Sequence, residues 1–134
     1  MNRTHLEGAA EALAAQQGYA FHTGPEDGMA HTMRSYSAAW LAPLELHAVE
    51  GRGHGRATYN MTLHLLSSGA RLSPAERRTA LARMEEQLLE IFAALSLDER
   101  VLAVEGLSVR PRAFALTPHG EISQTAAARI VTFF

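Results

Sequence analysis

The clearest pattern in the chain is an alternation that starts at Arg56 and gives way to a longer period near Ser73. From Arg56 to Leu65, the residues Ala57, Tyr59, Met61, Leu63 and Leu65 fall on one side, and Arg56, Thr58, Asn60, Thr62 and His64 on the other. A period of two with β-branched and aromatic residues predicts a strand with one face on a core and the other in water. A short loop, 67–71, leads to Ser73-Pro74-Ala75-Glu76, a capping box with proline at the first helical position. Leu81, Met84, Leu88, Ile91, Phe92 and Leu95 then recur every three or four residues, which predicts one amphipathic helix of about six turns.

The flanking stretches supply more elements. Thr4-His5-Leu6-Glu7 is a second capping box and Gly18 a C-terminal stop, so a first helix with a narrow stripe of Leu6, Ala9, Ala10, Leu13 and Ala14 is expected between them. Tyr19 to His22 is a short extended segment ended by the turn formers of 23–28. Met29 to Trp40 alternates only weakly and allows a strand, with 37–43 either extending it or forming an arm. Leu44 to Val49 alternates again, and the glycine-rich 50–55 turns the chain back into the Arg56 strand. Matching the apolar faces allows His47 to pair with Asn60 and Leu46 with Met61, which leaves Gly51, Gly53 and Gly55 in a loop. Beyond the long helix, Val101–Arg110, Arg112–Leu116 and Glu121–Phe134 read as strands, the last two joined by a type I turn at Thr117-Pro118-His119-Gly120. Hairpin connections make the sheet antiparallel, and both helices have one apolar face to cover. The expected fold is α+β, an antiparallel sheet with two helices packed on one face as a two-layer sandwich, in a single domain over residues 1–134.

Composition narrows the function classes. The net charge of −2 speaks against a general nucleic-acid binder, which depends on neutralising phosphates. No apolar run reaches the length of a membrane span, and the polar N-terminal segment does not read as a signal peptide. With no cysteine there is no thiolate or disulfide chemistry, and a cytoplasmic protein is the simplest reading. All 12 basic side chains other than histidine are arginine, which suits interfaces but also follows from codon bias in a GC-rich genome.

Candidate chemistry is sparse. Seven histidines raise the question of metal, yet no HxH or HExxH spacing occurs, and His47 and His64 lie too far apart in the expected register to share an ion. Exposed strand and loop histidines are the simpler account. Arg52-Gly53-His54-Gly55-Arg56 lacks the lysine and hydroxyl residue of a phosphate loop and precedes a strand rather than a helix. It reads as a hairpin tip, with a basic contact loop for another protein as its functional form. No nucleophile elbow is present, and Glu85, Glu86 and Glu90 beside Arg83 read as a solvated helix face. A catalytic, cofactor or metal site is therefore not expected.

The order of elements, the run Ala57-Thr58-Tyr59-Asn60-Met61-Thr62-Leu63-His64-Leu65-Leu66 with its following Ser/Pro loop and helix, and the closing Ala128-Arg129-Ile130-Val131-Thr132-Phe133-Phe134 together resemble the tail-terminator and minor-tail proteins of long-tailed bacteriophages. The resemblance is one of topology and carries no residue roles. It implies a non-catalytic structural protein of tail assembly that forms a ring, a hexamer in that family, where tail joins head. Its partners would be itself and other tail or head–tail connector proteins, in the bacterial cytoplasm during assembly and then in the virion tail. The contact candidates in this chain are Arg52, His54 and Arg56 on the hairpin tip, with Trp40 on the preceding segment, itself more often a core or hinge plug. Phe133 and Phe134 are expected to be buried at the strand end. A small-ligand module with an apolar pocket between sheet and helices, and a histidine-metal enzyme, are the alternatives.

Overall fold

A computed structural model of the protein describes residues 2–29, 35–112, 115 and 120–134. Two helices, α1 (Asn2–Gln16) and α2 (Pro74–Leu95), cover one face of a six-stranded sheet. The strands are β1 (Ala20–Thr23), β2 (Ala38–Leu41), β3 (Glu45–Arg52), β4 (His54–Ser67), β5 (Val101–Pro111) and β6 (Ile122–Phe133). The class is α+β, as the patterning implies. The sheet is mixed rather than wholly antiparallel, because β1 pairs with β2 in parallel.

β4 is the axis of the sheet. Along one edge it pairs with β6 over 12 positions, from Arg56–Phe133 to Ser67–Ile122, and β5 lies outside β6. The other edge is shared: β3 takes the lower part, from His54 to Asn60, and β2 the upper part, from Leu63 to Leu66. The link between them keeps the ladder going, since Ala42 N–H donates to the Thr62 carbonyl at 3.0 Å. β1 then flanks β2 alone.

The alternation of β4 does what its pattern demands. Met61, Leu63 and Leu65 enter the core with Ala126, Ala128 and Ile130 of β6, beneath Leu6, Ala10 and Ala14 of α1 and Met84, Leu88, Ile91, Phe92 and Leu95 of α2. The alanine stripes let helix and sheet approach closely. The capping box of α2 is formed in both directions: Glu76 N–H donates to Ser73 Oγ and Ser73 N–H to Glu76 Oε1, each at 3.1 Å. The α1 start differs from expectation, because Thr4 lies inside the helix rather than capping it. Tertiary bonds hold that first turn instead. Asn2 donates to Thr132 Oγ1 and to the Phe133 carbonyl, both at 3.0 Å, and Arg3 donates to the Leu44 carbonyl. Gly18, at φ 88°, ends α1 as anticipated.

The hairpin corrects the glycine-loop reading. Gly51 and Gly55 sit opposite one another inside the ladder, Arg52 opposite His54, and only Gly53 turns. The register also differs: Glu45 meets Asn60 and Leu46 meets Tyr59, with a bulge that leaves His47 out of the pairing. Apolar faces still match, since the bulge shifts the pairing without turning Leu46 to the wrong side. The strand expected at Arg112–Leu116 is not seen at Arg112 or Ala115, and its other residues, like Thr117–His119 of the expected turn and 30–34 of the weak strand, lie outside the described residues.

The face of the sheet away from the helices has two halves. Its upper half is roofed by the chain after β1, where Met29, Ala38, Trp40 and Leu66 form a second small core with Tyr36 against it. Its lower half carries no such roof among the described residues. That division positions everything that follows.

Candidate functional site at the hairpin end of the sheet

The bare lower half gathers the residues singled out by sequence. Side chains directly opposite in an antiparallel ladder share a face. Thus Arg52 beside His54, and Glu50 beside Arg56, all project from the unroofed side. Phe133, opposite Arg56 on the other flank, projects with them. Arg52, His54 and Arg56 are exposed, so the hairpin end is a basic surface with one aromatic at its margin.

The opposite side of the same hairpin is apolar. Leu46 and Val49 are 51% and 54% exposed, and with Ala57, Tyr59 and Phe134 they line a shallow hollow of about 420 Å³ beside Asn2. Of the two helices only the first turn of α1 reaches it, through Asn2. Phe133 and Phe134 are 48% and 47% exposed, so they are not the buried plug expected of them. The reason is that the segment is anchored by backbone: Phe134 N–H donates to the Gly55 carbonyl at 2.9 Å, and Gly55 N–H to the Phe134 carbonyl at 3.2 Å. Near the hollow, the Arg3 guanidinium lies 5.4 Å from the centre of the Tyr59 ring, a cation–π contact.

Trp40 does not belong to this surface. It is 2% exposed in the second core, its Nε1–H donates to the Gly24 carbonyl at 2.9 Å, and His22 stacks on it with ring centres 6.0 Å apart. The polar handle is satisfied inside, so the ring acts as a plug under the roof and not as a contact residue.

His64 is the residue that the pattern misjudged. Alternation puts it on the polar face, but it is fully buried at the border of the roof. Its Nδ1 lies 2.7 Å from Thr125 Oγ1 and its Nε2 3.1 Å from Glu26 Oε1, while Arg112 Nε–H donates to Thr125 Oγ1 at 3.2 Å. Burial pushes the imidazole below its usual pKa, the hydrogen bond and charge of Glu26 pull it up, and the Arg112 charge pushes it down; the net direction is down. A neutral ring donating to Glu26 and accepting from Thr125 fits this arrangement. No signal local to His64 could have shown the roof, which comes from residues far away in sequence.

A separate cleft of about 630 Å³ opens between the α1–β1 turn and the first half of α2. Leu72, Ala80 and Met84 form its apolar side and Arg83, Thr79 and Gln87 its polar side. Tyr19 O–H donates to Gln87 Oε1 at 2.5 Å across it. Burial raises the Tyr19 pKa, against the lowering charge of Arg83, so the phenol stays protonated at neutral pH. Among the described residues, no three His, Asp or Glu side chains converge as a metal site would need, and no helix is long and apolar enough to cross a membrane. A scan against protein-family models and a search of curated proteins return no match to the chain.

Proposed function

We propose that this chain is a structural protein of phage or prophage tail assembly, of the tail-terminator or head–tail joining type, acting by self-association and contacts with other tail proteins. The observation that carries the reading is the half-exposed set Leu46, Val49 and Phe134 in the hollow at the hairpin end, with Phe133 on the other face. Clustered apolar side chains left beyond the helical cover mark protein contact surfaces. The basic side chains of Arg52, His54 and Arg56 project from the opposite face of the same hairpin, so its two faces offer one apolar and one charged contact surface. The phage assignment itself rests on the likeness of element order and is a fold-level analogy.

Light scattering on the purified protein over a range of concentrations tests self-association. A multi-subunit mass is expected, with the Arg52→Glu/Arg56→Glu variant dissociating while its circular dichroism is unchanged. A wild type that stays monomeric would overturn the reading. Portal, tail-tube or tape-measure reading frames beside the gene support the phage assignment, and metabolic neighbours would remove it. The cleft beside α2 favours a second reading, a small-ligand module, which a ligand-dependent rise in melting temperature would support.

A further inference from the structure

Among the described residues three strands have an edge without a partner: the short β1 pairs only with β2, β5 only with β6, and β3, which β1 stops short of, only with β4. The two long open edges are those of β3 and β5. We propose that these two edges pair with each other between copies, β5 of one copy receiving β3 of the next, so that the sheet continues from subunit to subunit. The proposal builds on the self-association reading and specifies its contact.

Strand direction permits it. β3, β4, β6 and β5 are antiparallel in turn, so β3 and β5 run in opposite senses. A second copy set alongside with its helices on the same side therefore presents β3 antiparallel to β5. The two edges differ, so the contact is head-to-tail and leaves one free edge for the next copy, which builds a ring or a filament.

Charge then selects the register. Within one subunit Glu45, Asn60, Arg129 and Glu105 stand in one row across the sheet. Copies set side by side without offset would place Glu45 directly against Glu105, and like charges opposite each other destabilise a ladder. Sliding the neighbour along β6 from the row of Arg129 to that of Thr125 brings Glu45 opposite Arg110 instead. Both side chains are exposed, and neither has an ion pair among the described residues. In the same register Leu46 stands beside Val109 and, across the bulge, Val49 beside Leu107. All four are on the helix side, so the half-exposed Leu46 and Val49 continue the apolar layer to which Leu107 and Val109 belong. An offset of this kind is also what a closed sheet needs.

The sequence has no cysteine, so cross-linking reads the register directly. The Leu46→Cys/Val109→Cys protein, oxidised under native conditions, is expected to give a ladder of covalent oligomers beyond the dimer. It should exceed the Leu46→Cys/Val104→Cys protein, which reports the register without offset, by at least about fivefold, because a disulfide bridges only Cα separations of about 4.4–6.8 Å. Glu45→Arg and Arg110→Glu should each weaken association by about threefold to tenfold, and the double exchange should restore it. Equal cross-linking in the two cysteine pairs, cross-linking by Leu46→Cys alone, or no rescue by the double exchange would overturn the edge pairing while leaving self-association standing. A monomeric wild type would overturn both.

Discussion

At the scale of the residue, His64 shows how far a side chain's role depends on what arrives from elsewhere. Its position in an alternating strand predicts an exposed imidazole. The chain around Glu26 buries it instead, and burial favours the neutral ring. Linkage gives the sign. The unfolded chain takes up a proton near the ordinary value of 6.5 while the folded one does so only at lower pH. His64 therefore supports the fold above that value, and the contribution drains away as pH falls through it toward the folded value. We expect the denaturant midpoint of the wild type to drop between about pH 7.5 and about pH 5.5, and His64→Gln to flatten that drop. Equal slopes in the two proteins would show that another group sets the acid limb. Trp40 makes the same point: its type suggested burial as its commonest role, and its neighbours Gly24 and His22 fix it there.

At the scale of the element, the long helix and the β4 strand were legible because each carries its own signals, a capping box in one and an unbroken alternation in the other. The hairpin was legible as a hairpin but not in its register. Glycine in a sequence suggests looseness, whereas Gly51 and Gly55 permit a close approach of two strands. A Cβ on Gly55 would lie 1.9 Å from the Glu50 carbonyl oxygen, and one on Gly51, where φ is +113°, 2.4 Å from that of His54. Backbone cannot yield there as a flexible side chain could. Gly55→Ala is expected to destabilise the protein by about 1–3 kcal/mol, measured by chemical denaturation, and to speed amide exchange first around the hairpin. Unchanged stability and exchange would mean that the strands tolerate a wider separation. The bulge at His47 left no trace in the local pattern, yet it flips the parity of the pairing, so that Val49 rather than Ala48 shares the face of Leu46.

At the scale of the whole molecule, the fold class followed from the sequence because amphipathic helices and half-buried strands have few ways to cover one another. Strand order did not follow, since nothing in the alternation says that β2 and β3 divide one edge of β4 or that β1 runs parallel to β2. The candidate surface was legible in part. Arg52, His54 and Arg56 are exposed together, but the apolar hollow behind them depends on where the helices stop. Leu46→Asp/Val49→Asp should leave stability within about 0.5 kcal/mol, as surface changes usually do, and abolish self-association in light scattering. A large loss of stability would place those side chains in the monomer's own core. The position of β6 has a further consequence. It comes last in sequence of the six strands but lies between β4 and β5, and among the described residues β5 has no other strand to pair with. While a ribosome is still translating the stretch before Ile122, the nascent chain holds β4 with its longest edge open and β5 unpaired. Completion of the sheet must then wait for β6 to emerge, and until it does the chain depends on chaperones or speed to keep that edge from another chain.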